Sequence, residues 1–217
     1  KIMDPINFYN WSKALFNWLN GLSKGTLVKI HNETSPNDSN EIVGYGFKTN
    51  SRLDEKIYKE NKELRMYLPR GIYFDTNKQL KNFAIRKFFG EGIDEDKDEG
   101  EMTHIGEDIS KHLFGSVPTH FFPTEKANGE NSQVYVDNQF IFIGSKNRKI
   151  RLRRSHPIED IDLYKRNYID VANNTYFFAI SFAENLIKKL INDEKYEMFL
   201  QFLEYTRWTA NFEFENV

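Results

Sequence analysis

The chain contains no cysteine, which excludes disulfides, thiolate metal sites and a cysteine nucleophile and suits a reducing compartment. It also lacks any apolar run approaching the ~18 residues that a membrane-spanning helix needs, and no signal-peptide pattern is visible. The expectation is therefore a soluble intracellular protein, cytoplasmic or nuclear, with no membrane partner. Charge of one sign is missing as well. The formal net charge is −2, so the molecule as a whole is not a generic polyanion binder. The five histidines, 31, 104, 112, 120 and 156, show no metal-ligand spacing. There is no internal repeat and no clear linker.

What is present is 217 residues, enough for one large domain or two small ones, with an aromatic content of 15% that can fill a core. Charge is segregated along the chain: residues 91–101 are acidic and glycine-containing, and residues 146–154 are basic without an acid. Asp4-Pro5 marks a helix start, with Trp11, Leu15, Trp18, Leu19 and Leu22 at helical spacing and the two tryptophans read as core. Residues 26–31 and 41–48 read as strands around Ser35-Pro36-Asn37-Asp38, and 71–75 and 80–89 as two more. Residues 90–101 read as a loop. Residues 132–136 and 139–144 flank Asp137-Asn138, a hairpin signal. In 149–153, basic and apolar residues alternate, which predicts a strand with Lys149, Arg151 and Arg153 on one face. Such a face is a candidate for RNA phosphate contacts. From 174 the period turns helical, with Phe178, Phe182, Leu186 and Leu190 four apart, and 208–215 alternate again.

The segment Glu125-Lys126-Ala127-Asn128-Gly129, followed by Ser145-Lys146-Asn147, is the most informative. It has the form of K-x-[D/N]-G, the active-site lysine motif of covalent nucleotidyltransferases, set before a β-hairpin whose far strand carries a second lysine. A lysine amine can attack the α-phosphorus of a nucleoside triphosphate and hold the nucleotide as a phosphoramidate. That chemistry needs a neutral lysine, cations that stabilise the leaving pyrophosphate, a divalent metal and a carboxylate to hold ribose or metal. Lys126 is the candidate nucleophile, and Arg70, Lys87 and Lys146 are the candidate cations. Glu213, in Ala210-Asn211-Phe212-Glu213-Phe214, is a carboxylate within an apolar strand.

With these segments in order, the chain resembles the ATP-dependent RNA ligases, the group that includes phage RNA ligase 1 and the fungal tRNA ligases. Pro69-Arg70-Gly71-Ile72-Tyr73-Phe74 looks like the upstream "RG" strand and Arg86-Lys87-Phe88-Phe89-Gly90-Glu91 like the "KFF" segment. Lys126-Ala127-Asn128-Gly129 matches the nucleophile motif, Ser145-Lys146 the following lysine motif, and Asn211-Phe212-Glu213-Phe214 the "FE" strand. The resemblance spans roughly residues 65–217 and implies an α+β, ATP-grasp-like nucleotidyltransferase fold of antiparallel sheets with helices 160–205 outside. Residues 1–65 are expected to join the same domain as an unassigned helix and strands, and 66–217 to form the adenylation domain. It further implies that Lys126 carries AMP from ATP, that Arg70 and Lys87 touch the β and γ phosphates, and that Glu125, Asn128, Gly129 and Lys146 line the nucleotide. Glu213 would contact the ribose or Mg²⁺ or Mn²⁺. The substrate would be RNA with 5′-phosphate and 3′-hydroxyl ends, as in RNA repair or tRNA splicing. The family pattern continues with a downstream glutamate motif and a final lysine pair, which do not appear before Val217, and Lys188-Lys189 lie in an amphipathic pattern instead. The chain is thus expected to be the larger part of such a domain. The rival expectations are a non-catalytic RNA-binding module, a GTP-dependent capping-type guanylyltransferase and a DNA ligase.

Overall fold

The helical spacing of Leu15 and Leu19 is realised in helix α1, Pro5–Ser23, which buries both side chains together with Ser12. The computed structural model describes residues 5–24, 28–36, 38–47, 57–58, 60–84, 129–146, 148–168 and 176–214. All of these belong to one compact unit, formed by residues 1–86 and 128–217; a second unit, 87–127, lies outside the described residues.

Among the described residues the strands form two antiparallel sheets. The first has the order β1–β2–β3–β4, from Val28–Ser35, Asp38–Phe47, Ile72–Phe74 and Leu80–Phe83. The pairing of β2 with β3, Val43 opposite Phe74 and Tyr45 opposite Ile72, joins residues before and after position 65 in a single sheet. Between them lies a short helix, α2, Lys62–Tyr67, capped by Asn61 Oδ1, which accepts from the Leu64 amide.

The second sheet has the order β7–β6–β5–β8. Its strands are β5 Glu130–Val136, β6 Phe140–Ser145, β7 Lys149–Arg153 and β8 Ala210–Phe214. Asp137 shapes the β5–β6 hairpin: its Oδ1 accepts from the amides of Gln139 and Phe140 at 2.9 and 2.7 Å, an Asx turn. Three helices follow β7: α3 Pro157–Tyr168, α4 Phe177–Leu190 and α5 Tyr196–Thr206. The expected helices within 160–205 and the strand at 208–215 are both present.

Side chains alternate across each sheet, and this produces four layers. On one face of the first sheet, Tyr45 and Phe74 meet Phe16 of α1 edge-on at 5.9 and 5.4 Å, and Trp11 meets Phe83 at 5.9 Å. Buried Ser12 Oγ accepts from the Leu80 amide at 2.6 Å. On the outer face of the second sheet, Val134, Val136, Ile141, Ile143, Ile150 and Leu152 form one core with Ile180, Phe182, Ala183, Ile187, Leu200 and Leu203 of the helices. Between the sheets lies a smaller cluster of Ile42, Tyr73, Tyr135 and Phe142. Lys81 closes its hairpin end with Asp137 at 2.7 Å and Asp75 at 3.4 Å. Buried Asp160 on α3 accepts from the Arg153 amide at 2.6 Å and from Arg153 Nη2 at 2.6 Å, fixing α3 to β7. Among the described residues no helix is long and apolar enough to cross a membrane.

Candidate functional site

The strand that leaves the K-x-N-G segment is β5, and it is central, paired on one side with β6 and on the other with β8. Its first residues therefore sit beside both remaining motifs. Asn131 is opposite Glu213 of the "FE" strand, and Ser132 is opposite both Phe212 and Ser145, the residue before Lys146. Gly129, the motif glycine, lies against β8 so closely that a β-carbon there would be 3.0 Å from the Phe214 carbonyl oxygen. A β-carbon there would force strand β8 to give by a few tenths of an ångström, a constraint separate from the passage of a nucleotide base.

The Arg70-Gly71 turn reaches the same end of β5 from the other sheet. Gly71 has φ +92, a conformation L-residues rarely adopt, and a β-carbon on it would fall 2.5 Å from Gln133 Oε1. Three side chains hold the carbonyls of this turn. Tyr58 Oη donates to the Leu68 carbonyl at 2.6 Å, Gln133 Nε2 to that of Arg70 at 3.4 Å, and Asn82 Nδ2 to that of Gly71. The Arg70 guanidinium is left different: its Nε and Nη2 are shielded from solvent and have no hydrogen-bond partner. A buried cationic donor in that state is costly unless an anion completes it.

Gln133 is the hub of a buried polar network. Its Oε1 accepts from Asn82 Nδ2 and from Lys149 Nζ, both at 2.8 Å, and its Nε2 donates to Asn131 Oδ1 at 2.8 Å. Lys149 Nζ also donates to the Ser145 carbonyl and lies 5.5 Å from the centre of the Tyr73 ring. Asn82 is fully buried, yet its Oδ1 has no partner, and the same holds for Asn211 Oδ1 on β8. By register, Asn131, Gln133, Asn211, Glu213 and Lys149 share the face turned toward the first sheet.

Several sequence expectations change in this light. Lys149, Arg151 and Arg153 do share one face, through Gly144, Phe142 and Phe140 of β6, but that face is not a solvated stripe. Lys149 is 1% exposed and Arg151 7%, with the Arg151 guanidinium 4.8 Å above the Phe140 ring, while Arg153 is engaged by Asp160. The face is occupied because a second sheet covers it, which alternation within 149–153 cannot reveal. Glu213 is exposed and not embedded: Phe212 and Phe214 point to the helical core, where both rings contact Phe182, and Glu213 points the other way. Lys146 follows directly on β6 and is half-buried. Lys126, Glu125, Asn128 and Lys87 lie outside the described residues. Among the described residues no group of three or more His, Cys, Asp or Glu side chains could hold a metal ion. Asn82 and Gln133 were not singled out from sequence. The available signal was a carboxamide within a strand, followed by an apolar residue on the opposite face, Phe83 after Asn82 and Val134 after Gln133.

No protein-family model matches the chain, and no curated protein matches it significantly.

Proposed function

We propose that this chain is the adenylation domain of an ATP-dependent RNA ligase with a nucleotidyltransferase fold. The observation that carries the reading is the convergence of the described motif segments at one end of β5. The Arg70-Gly71 turn, Gly129, Ser145-Lys146 and Glu213 are scattered over 144 positions of sequence, from Arg70 to Glu213, and nothing in local propensity brings them together. The unpartnered Arg70 guanidinium supports an anion-binding role at that point, and a polyphosphate supplies the missing acceptors.

In this reading the neutral amine of Lys126 attacks the α-phosphorus of ATP. A P–N bond forms, the α–β phosphoanhydride bond breaks, and pyrophosphate leaves, with Arg70 and Lys87 stabilising its charge. The AMP then passes to an RNA 5′-phosphate, and a 3′-hydroxyl displaces it to join the strands. Lys146 lies beside the nucleotide, and Glu213 contacts its ribose or the metal. Mg²⁺ or Mn²⁺ would supply further charge neutralisation on the phosphates, and a hydrated ion held by substrate phosphates needs only one or two protein carboxylates. Exposed Glu213, on the same face as Asn131, fits that requirement.

The test is incubation of the intact protein with α-labelled ATP and Mg²⁺, followed by denaturing electrophoresis. An acid-labile label that Lys126→Ala abolishes is expected. Labelling by GTP and not ATP would transfer the reading to a capping-type guanylyltransferase. Absence of label with either nucleotide would leave a non-catalytic RNA-binding module.

A further inference from the structure

The Leu68-Pro69-Arg70-Gly71 turn is held by side chains from three different elements, while the guanidinium it carries is held by none. Of the groups that hold it, Asn82 and Gln133 act as a pair. Asn82 Nδ2 bridges the Gly71 carbonyl and Gln133 Oε1, and Gln133 Nε2 reaches the Arg70 carbonyl at 3.4 Å and Asn131 Oδ1 at 2.8 Å. Both side chains are almost completely buried, at 0% and 1% exposure. The contact is so close that a β-carbon on Gly71 would meet Gln133 Oε1 at 2.5 Å and could enter only by displacing that side chain. A surface turn with an exposed arginine would need none of this. Burying two carboxamides costs free energy unless they are hydrogen-bonded, and here their hydrogen bonds go to the backbone on which Arg70 is mounted.

We propose that Asn82 and Gln133 are positioning residues that clamp the Arg70-Gly71 turn and aim the Arg70 guanidinium at a polyphosphate anion. Neither residue touches the anion. They fix the backbone so that Nε and Nη2 present two donors in a constant direction, and the guanidinium then acts without reorganising when the anion arrives. The turn is tied through Gln133 to the central strand β5 and through Lys149 to β7. Arg70 is thereby referenced to the strand that leaves the lysine motif. This inference rests on the ligase reading for its chemistry but not for its geometry.

The test compares Gln133→Leu, Gln133→Glu and Arg70→Ala in the intact protein. Gln133→Glu keeps an acceptor for Lys149 and Asn82 and loses the N–H directed at the Arg70 carbonyl. For Gln133→Leu, lysine adenylylation should slow on the order of 10²-fold, the penalty for a displaced catalytic group, with a raised KM for ATP. Gln133→Glu should fall between Gln133→Leu and the wild type. Joining of RNA that already carries a 5′-adenylate should survive in the same preparations, since no pyrophosphate leaves in that step, and its survival shows that the variants are folded. Combining Gln133→Leu with Arg70→Ala should add little to Arg70→Ala alone, because the clamp acts through that arginine. Parallel loss in both steps, or full additivity of the two substitutions, overturns the inference. If the wild-type protein takes no label from ATP, the ligase reading fails, and the clamp is judged by thermal shift with inorganic tripolyphosphate. Stabilisation lost in both Arg70→Ala and Gln133→Leu then upholds it. Stabilisation retained in Gln133→Leu, or absent from the wild type, overturns it.

Discussion

Replacing Gly71 by alanine perturbs two separable things, and the structure sets a magnitude for each. The first is backbone conformation: at φ +92 an L-residue is strained by about 1–3 kcal/mol. The second is space, because the new methyl would lie 2.5 Å from Gln133 Oε1, well inside contact distance. That oxygen accepts from Asn82 Nδ2 and Lys149 Nζ. If Gln133 swings away, a neutral hydrogen bond worth about 0.5–1.5 kcal/mol and a charged one worth about 1.5–3 kcal/mol are lost. The expected destabilisation is about 3–7.5 kcal/mol, a large fraction of the ~5–15 kcal/mol that holds a domain together. Urea titration followed by tryptophan fluorescence reads it as a lower midpoint at unchanged slope. Gly21→Ala is the control, since nothing lies within 4 Å of that position in α1, and alanine in a helix should stabilise by about 0.5–1 kcal/mol. Gly71→Ala in a Gln133→Ala background separates the two terms. With the obstructing oxygen gone only the backbone strain remains, so the double variant should be more stable than the sum of its singles predicts. A loss below about 1 kcal/mol for Gly71→Ala, within the range of ordinary surface changes, would refute the reasoning, and so would strict additivity of the pair.

Two further outcomes follow from other buried polar groups. Asp160→Ala should cost about 2–3 kcal/mol in the same urea assay, because the buried carboxylate accepts from the Arg153 amide and guanidinium and charged hydrogen bonds are the stronger kind; a change under about 1 kcal/mol would show that α3 is not fixed by this pair. Burial raises the phenols of Tyr45 and Tyr196 to about 12 and that of Tyr135 further, against 10.0 for an exposed tyrosine. The unfolded chain therefore loses these protons first, so the contribution of these phenols to stability is constant below pH 10 and falls as pH rises from 10 toward 12. Since Tyr45 Oη and Tyr196 Oη have no partner, Tyr45→Phe with Tyr196→Phe should leave stability at pH 8 intact and reduce the loss at pH 11. An equal alkaline loss in the double variant would exclude these phenols as its source.

Most of the secondary structure was legible because its causes are local. The period of Leu15 and Leu19 gave α1, Asp137-Asn138 gave the β5–β6 turn, and the change of period after 174 gave α4. The short helix Lys62–Tyr67 was not, since a one-turn cap by Asn61 within a charged stretch carries little periodic signal. The site was legible only in part. Arg70, Gly129, Lys146 and Glu213 announced themselves as motif residues, but Asn82 and Gln133 did not, because their role depends on a partner sheet more than 45 residues away in sequence: Gln133 to Asn82 spans 51 positions and to Arg70 63. The same long-range packing explains the basic strand. Alternation showed correctly that Lys149 and Arg151 share a face and could not show that Tyr73 of the first sheet packs over Lys149 there.

Residues of β5, β6 and β7 serve two masters, and this is what gives the site its precision. Val134, Val136, Ile141, Ile143, Ile150 and Leu152 are buried against the helices, while the residues between them, Gln133, Tyr135, Phe142, Lys149 and Arg151, face the other sheet. A slip of one residue in any of these strands would carry carboxamides and cations into the helical core and leave aliphatic side chains in the polar network. Each buried aliphatic contributes about 1.5–3 kcal/mol, and each unpaired polar group in the core would cost about 1–3 kcal/mol more. The correct register is thus favoured by several kcal/mol from one face before any polar contact forms on the other. β5, like β6, is paired on both edges. The lysine motif ends at Gly129, directly before β5, so the apolar core on the far side of the sheet fixes the position of Gly129 relative to Ser145, Glu213 and the Arg70 turn. A core substitution such as Val134→Ala, whose side chain faces the helices while its neighbour Gln133 faces the site, acts on the site through this register.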